Sequence, residues 1–247
     1  MGKIIVVTSG KGGVGKSTVV AYLGAALCAK DKRVLLIDTD EGLKSLDIML
    51  GITQRAVFDL SDILAENCNP NQAAVPVKQY QNLFLLPAPA KDNSIRSPED
   101  MKKLCDIFSE SFDYIIIDCP AGIGSNFINA TSAADAALVV VNPDAVSVRD
   151  GGQVAQLLRE NGLYDIRLVI NKTNRKYMQK GIYHNIDQII DLTSIQLIGA
   201  IPVDDEIVRA NATGTALSKS KAREAFARIA ARELGEELPL PKVKKYT

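Results

Sequence analysis

Residues 9–18 of this 247-residue chain read SGKGGVGKST. Gly10, Gly15, Lys16 and Ser17 fit the pattern G-x-x-x-x-G-K-[ST], in which the backbone N–H groups of a glycine-rich loop surround phosphate oxygens. An apolar run precedes this loop and a helix-forming segment follows it, so the positive end of a helix dipole also favours anions here. The alternative is an ordinary glycine-rich turn between a strand and a helix. We favour a site for a nucleoside triphosphate, with Lys16 on the outer phosphates and the Ser17 hydroxyl on Mg²⁺.

Acidic residues follow two further predicted strands. Asp38 ends the apolar run at 34–37, Asp40 lies two residues later, and Asp118 ends the run at 112–117. In an open parallel sheet, ligands bind beyond the carboxyl ends of the strands, so these carboxylates should face the same crevice as the loop. A carboxylate there binds Mg²⁺ or orients an attacking water. The competing interpretation is a polar turn with a helix cap.

Apolar runs and helix signals alternate along the chain. The runs are continuously apolar, which is typical of parallel strands buried on both faces. We therefore expect an α/β fold with a doubly wound, mostly parallel sheet and helices on both faces. We expect a single domain over residues 1–237 and a short basic tail at 238–247. The predicted strands are 3–8, 34–38, 82–87, 112–118, 136–141, 166–172 and 198–204, and the predicted helices are 16–30, 60–64, a segment from Pro98, 147–161, 206–212 and 222–234.

Four further segments carry weaker signals. Residues 147–150 read SVRD, which predicts a capping box that opens a helix. Asn171 ends a predicted strand, where its side-chain amide would pair with an adenine edge. His184, the one histidine, lies in a polar stretch and is expected to be structural. Residues 67–71 are predicted to form a turn or loop.

Bulk composition excludes several classes of protein. The formal net charge is zero, which gives no strong signal for nucleic-acid binding. No C-x-x-C pair occurs among Cys28, Cys68, Cys105 and Cys119, so neither a zinc knuckle nor an iron–sulfur ligand set is expected. Scattered cysteines suit a reducing cytosol. We see no secretory signal and no apolar run long enough to span a bilayer.

Several of these motifs together resemble the MinD/ParA family of deviant phosphate-loop ATPases. The loop at 11–17 carries that family's additional lysine at Lys11, which by itself would be an ordinary solvated loop lysine. Residues 42–47 and 118–122 resemble the family's two switch segments, and residues 201–204 lie where it has similar residues. The resemblance extends to about Gly235, and the weaker segments together favour the MinD subgroup.

The resemblance implies a nucleotide cycle. ATP would join two copies in a sandwich dimer, with Lys11 reaching the partner's phosphates, and hydrolysis of ATP with water to ADP and phosphate would separate them. The ATPase would be Mg²⁺-dependent, slow and activated by the dimer, with Asp150 near its interface. By position, the implied roles are catalytic for Lys11, Lys16 and Asp40, nucleotide-binding for Gly12, Gly13, Val14, Gly15, Lys16, Ser17, Thr18, Asn171 and Pro202, and Mg²⁺-binding for Ser17, Asp38 and Asp118.

The resemblance also implies a spatial regulator of division-site placement, with MinC-like and MinE-like partners. A flagellar-number regulator of the same subfamily and a ParA-type DNA-partitioning ATPase remain alternatives, and the latter would need a basic face. An iron–sulfur carrier and a small-molecule kinase are disfavoured by missing signatures. A nucleotide-binding protein that never hydrolyses its ligand also stays open.

Two features depart from the MinD pattern. Glu41 stands where an apolar residue is usual, which would alter switch contacts. Pro239 and Pro241 oppose the basic amphipathic helix that ends typical members. We therefore expect a cytoplasmic protein whose association with the inner face of the plasma membrane is weak, transient or absent, which co-sedimentation with anionic vesicles would test.

Overall fold

The computed structural model describes residues 1–39, 45–52, 57–88, 95, 97–120 and 122–239. These residues contain one eight-stranded sheet in the order β3-β4-β2-β5-β1-β6-β7-β8. All neighbours pair in parallel except β3, which runs antiparallel to β4. The strands are β1 (Lys3–Thr8), β2 (Val34–Asp38), β3 (Val75–Pro76), β4 (Leu83–Leu86), β5 (Tyr114–Asp118), β6 (Ala136–Val141), β7 (Ile166–Thr173) and β8 (Gln196–Pro202).

Helices connect the strands and cover the sheet. Their starts follow from the sequence; at α5, for example, the Ser97 side chain accepts from the Asp100 N–H while Pro98 occupies the first helical position. Within the described residues the helices are α1 (Lys16–Cys28), α2 (Ser45–Met49), α3 (Leu60–Leu64), α4 (Pro70–Ala73), α5 (Pro98–Ser109), α6 (Ser125–Thr131), α7 (Ala145–Glu160), α8 (Arg175–Gln179), α9 (Ile186–Thr193), α10 (Asp205–Thr213) and α11 (Lys221–Glu233).

The sheet has a hydrophobic core on each face. Alternate residues of β1 belong to different cores: Ile4 and Val6 pack with α5 and α7, whereas Ile5 and Val7 pack with α1 and α11. Because successive side chains of a strand point to opposite faces, a continuously apolar strand supplies both cores at once. The doubly wound, three-layer architecture predicted from the sequence is confirmed.

Most predicted elements appear within two or three residues of their expected ends, including the strands that carry Asp38 and Asp118. The helix predicted to begin at the SVRD segment begins instead at Ala145, because the Asp144 side chain accepts from the Ser147 N–H. Asp150 therefore lies inside α7, and the predicted capping box was wrong. Helix α1 is buried nearly all round, between the sheet and α11, and not on one face alone.

Other differences concern short elements. The loop predicted at 67–71 contains the start of α4, which Asn69 caps. Helices α2, α6, α8 and α9 and strand β3 were not predicted. In the part of the chain that the structure describes, no helix is both long enough and apolar enough to cross a membrane.

Candidate nucleotide-binding site

The glycine-rich loop joins β1 to α1 at the carboxyl edge of the sheet. Gly13 and Gly15 have φ angles of 76° and 98°, in the left-handed region that glycine adopts without strain. Val14 is 1% exposed and packs into the core beneath α1, which anchors the loop. The Ser9 hydroxyl donates to the Lys11 carbonyl at 2.8 Å across the loop. The curled backbone predicted from the glycine spacing is therefore present.

Lys16, Ser17 and Thr18 form the first turn of α1. Lys16 is only 8% exposed although it is charged. Burying a cation is costly unless an anion compensates it, so this position suits a phosphate ligand. The Ser17 hydroxyl accepts from the Ser45 hydroxyl at 3.3 Å, which links α1 to the start of α2.

Thr18 is tied to α10 by a chain of side-chain hydrogen bonds. The Asn211 amide donates to Thr18 Oγ1 at 3.5 Å, and Asn211 Oδ1 accepts from the Tyr22 hydroxyl at 2.7 Å. Burial raises the pKa of Tyr22, so its hydroxyl keeps the proton that it donates. These contacts fix the first turns of α1 beneath the glycine-rich loop.

Asp38 and Asp118 end two neighbouring strands, β2 and β5, and are paired with each other in register. Each is 1% exposed. Thr39 holds this edge together, because its N–H and its hydroxyl both donate to the Asp118 carbonyl, at 3.3 and 2.6 Å. The two carboxylates are adjacent and buried, and with the Ser17 hydroxyl they would supply the all-oxygen donor set that Mg²⁺ prefers, while a divalent cation would offset their desolvation. The residues predicted for Mg²⁺ thus fit that ion.

Several predicted residues lie outside the described part of the chain. Asp40, predicted to orient the attacking water, is one of them, together with Glu41 and residues 42–44 of the first switch segment. Ala121 of the second switch segment and residues 240–247 of the basic tail are others.

Lys11 lies at the outer side of the loop, with 44% of its side chain exposed. Its ammonium lies 3.7 Å from Asp144 Oδ1. Gly10 packs against α7 so closely that a Cβ there would lie 2.6 Å from the Asp150 Cβ. Asp150 is therefore a packing neighbour of the loop and also accepts from Arg149.

The two residues predicted to frame adenine lie on adjacent strands, β7 and β8. Asn171 is 3% exposed, and its amide donates to the Val14 carbonyl at 2.8 Å. Pro202 lines a cleft of about 900 Å³, together with residues such as Thr173 and Lys221. The contact of either residue with adenine stays a prediction.

Three residues of this site were not predicted from the sequence: Asp144, Thr39 and Lys172. Asp144 directly precedes α7 and was a readable N-cap. Thr39 lies between two predicted site residues and gave no signal of its own. Lys172 follows Asn171, and its ammonium donates to the Gly13 carbonyl at 2.8 Å, a contact that only the tertiary structure reveals.

Comparisons with known proteins agree with this geometry. The ParA family model, described as NUBPL iron-transfer P-loop NTPase, matches residues 1–234. The septum site-determining protein MinD of Bacillus subtilis (strain 168) is 42% identical over 246 residues, which are 97% of this chain and 92% of that protein. The chain belongs to the MinD/ParA family of P-loop NTPases.

Solved structures from the MinD/ParA family superpose closely on this chain. MinD in the MinC:MinD cell division protein complex of Aquifex aeolicus is 36% identical, with a TM-score of 0.89 over 97% of this chain and 99% of that one. The septum site-determining protein MinD of Pyrococcus horikoshii OT3, complexed with Mg-ADP, is 28% identical, with a TM-score of 0.83 over 94% and 96% of the two chains. The sheet and the phosphate-loop edge are thus those of a known ATPase fold.

Proposed function

We propose that this protein is an ATP-hydrolysing dimerisation switch that acts in placing the division site. The observation that carries the proposal is the arrangement at the carboxyl edge of the sheet. A buried Lys16 begins α1, Asp38 and Asp118 lie side by side, and a second loop lysine, Lys11, lies outside at the surface. The similarity to septum site-determining MinD proteins supports the cellular role.

Different residues of this edge bind different parts of a Mg²⁺–triphosphate complex. Backbone N–H groups of the loop and the Lys16 ammonium hold the phosphates, and Ser17, Asp38 and Asp118 hold Mg²⁺. When bound, Mg²⁺ neutralises charge on the phosphate oxygens. Asp40 orients the attacking water, as the resemblance implies. The similarity to the Pyrococcus relative, which is complexed with Mg-ADP, supports this assignment.

Lys11 has a different task. Its side chain is 44% exposed and is paired with the Asp144 side chain, which is 33% exposed; a surface ion pair of this kind is worth about 0–1 kcal/mol. Lys11 is therefore available to a second copy of the protein, where it stabilises the negative charge that develops in the transition state of ATP hydrolysis. A cation supplied by a partner makes hydrolysis wait for dimerisation, as an arginine finger does in other P-loop enzymes.

The partners follow from the same proposal. A MinC-like protein binds the dimer, since the Aquifex relative is part of a MinC:MinD complex. A MinE-like protein completes the system, and association of the basic tail with a membrane surface is weak or absent. Binding of a MinC protein in the presence of ATP but not of ADP would support the division-site role.

Phosphate release measured against protein concentration tests the switch. With Mg-ATP, turnover per molecule should rise with protein concentration, and Lys11→Ala should remove most of that rise. Lys180→Ala, which removes an exposed lysine outside the site, serves as the matched control and should behave as wild type. Turnover that is independent of concentration and insensitive to Lys11→Ala would contradict the proposal.

A further inference from the structure

The end of β7 contacts the glycine-rich loop at two successive carbonyls. Asn171 Nδ2 donates to the Val14 carbonyl at 2.8 Å, and Lys172 Nζ donates to the Gly13 carbonyl at 2.8 Å. Two neighbouring side chains of one strand thus hold two neighbouring peptide units of the loop from the same side.

This contact determines where the loop's N–H groups point. In a trans peptide unit the C=O and the N–H point in opposite directions. With the Gly13 carbonyl turned towards Lys172, the Val14 N–H points away from β7, and with the Val14 carbonyl turned towards Asn171, the Gly15 N–H does the same. Within the described residues no acceptor takes either N–H. Two successive donors are therefore turned together away from β7, an arrangement that can bind phosphate oxygens.

The backbone at Lys172 is specialised for this contact. Its φ is 54°, in the left-handed region that L-residues other than Asn and Asp rarely adopt. The pairing of β7 with β8 is interrupted between Ile170 and Thr173, which leaves room for this conformation. Asn171 Oδ1 accepts from the Lys172 N–H at 2.9 Å, so the two residues form one unit.

We propose that Lys172 is a positioning residue of the nucleotide site. By holding the Gly13 carbonyl outward, it keeps the N–H groups of the loop aimed at the phosphates of a nucleoside diphosphate or triphosphate. In this role Lys172 acts through the loop backbone, by its hydrogen bond to the Gly13 carbonyl. This role rests on the proposed function, because it presumes that the loop binds a nucleotide.

The predicted effect differs from that of a general positive charge near the site. A charge that acts over more than about 10 Å is largely screened at 0.1 M salt. The exposed hydrogen bond from Lys172 Nζ to the uncharged Gly13 carbonyl acts at 2.8 Å, well inside that distance, so salt should weaken it less. The predicted effect on ADP affinity can also be separated from an effect on the stability of the fold. Gly adopts φ of 54° without strain, so Lys172→Gly should keep or raise the melting temperature of the nucleotide-free protein while it removes the hydrogen bond.

Calorimetric titration with Mg-ADP, at 0.1 M and at 0.5 M salt, tests the proposal. Lys172→Met and Lys172→Gly should each lose about tenfold in ADP affinity at both salt concentrations, since one hydrogen bond from a charged group is removed. Lys172→Arg, which keeps a cationic donor, should stay within about threefold of wild type. Lys180→Met, which removes the same charge outside the site, should bind as wild type does.

Two results would overturn the role of Lys172. One is ADP binding by Lys172→Met at wild-type affinity, and the other is a loss that disappears at 0.5 M salt, which would indicate a long-range charge. If the wild-type protein bound no ADP, the proposed function itself would be contradicted. ADP binding by wild type is therefore measured first, in the same titration, before any variant is compared with it.

Discussion

One carboxylate oxygen joins the loop lysine to a helix start: Asp144 Oδ1 lies 3.7 Å from the Lys11 ammonium and also accepts from the Ser147 N–H at 3.0 Å. The Asp144 side chain thus caps α7 and pairs with Lys11 at the same time. Because the pair is exposed it is weak, whereas the cap is a short local contact. Lys11 can leave Asp144 without loss of the helix cap.

The two roles of Asp144 can be separated by substitution. Asp144→Asn keeps an acceptor for the Ser147 N–H, so the free energy of unfolding should stay within about 0.5 kcal/mol of wild type. Asp144→Ala removes the acceptor and should cost about 1 kcal/mol. Urea unfolding of the nucleotide-free protein measures both. Equal losses in the two variants would show that the ion pair, and not the cap, stabilises this region.

The carboxylates at the ends of β2 and β5 should control the Mg²⁺ requirement. Asp38→Asn or Asp118→Asn removes a charged oxygen ligand, so the Mg²⁺ concentration for half-maximal ATP hydrolysis should rise about tenfold or more. Asp31→Asn, in an exposed turn with φ of 60°, is the matched control and should not change it. An unchanged Mg²⁺ requirement in both site variants would remove these residues from the metal site.

The two glycines on either side of Lys11 should differ in their tolerance of a side chain. At Gly10 a Cβ would lie 2.6 Å from the Asp150 Cβ and 2.7 Å from the Asp150 carbonyl oxygen, so Gly10→Ala should cost about 1–3 kcal/mol. At Gly12 an added Cβ would have no described atom within 4 Å beyond its chain neighbours, so Gly12→Ala should change stability by less than about 0.5 kcal/mol. Thermal unfolding of both variants checks the contrast, and equal melting temperatures would refute the close packing of Gly10 on α7.

A buried thiol should make stability fall at alkaline pH. Burial raises the pKa of Cys105 from its ordinary value of 9.0 to about 12, with smaller contributions from Asp106 and Asp135. Between these two values the unfolded thiol loses its proton while the folded thiol keeps it, so the contribution to stability is complete below pH 9.0 and is lost as the pH rises towards 12. The slope per buried thiol is about 1.4 kcal/mol per pH unit.

The variant Cys105→Ala removes this titration. Its unfolding free energy should therefore decline less steeply than that of wild type, by about 1 kcal/mol per pH unit within the window. Denaturant unfolding at several pH values from about 8 to about 11 gives the unfolding free energy of both proteins as a function of pH. The difference between the two proteins at the lowest pH measures the packing that the smaller side chain loses, and it is subtracted at every other pH. Parallel curves would show that Cys105 ionises as readily in the folded protein as in the unfolded chain.

The strands and the loop were predictable because their signals are local. Continuous apolar runs indicate buried parallel strands. A parallel sheet then brings Asp38 and Asp118, which end two of these strands, to the same edge, independently of the conformation of the loops. The helix start at α7 was not decided by local signals, since both Asp144 and Ser147 are good caps. In the fold Ser147 Oγ instead accepts from the Asn142 N–H, which leaves Asp144 as the cap.

The contact of Lys172 with the loop was not predictable from the sequence. Lysine has no preference for a positive φ, and nothing near residue 172 signals a left-handed backbone. That conformation depends on the irregular pairing of β7 with β8 and on the nearby Gly13 carbonyl. Short helices such as α6 were missed for a related reason, since a seven-residue polar segment forms a helix only where its few apolar residues pack.

The central claim, that ATP joins two copies through Lys11, is tested most directly by sedimentation velocity. Wild type and Lys11→Ala are compared with a non-hydrolysable ATP analogue, with ADP and without nucleotide, each with Mg²⁺. We expect a wild-type dimer with the analogue alone and monomers in every other case, with Lys11→Ala still able to bind nucleotide. A wild-type monomer with bound analogue, or a dimer that persists with ADP or in Lys11→Ala, would contradict it.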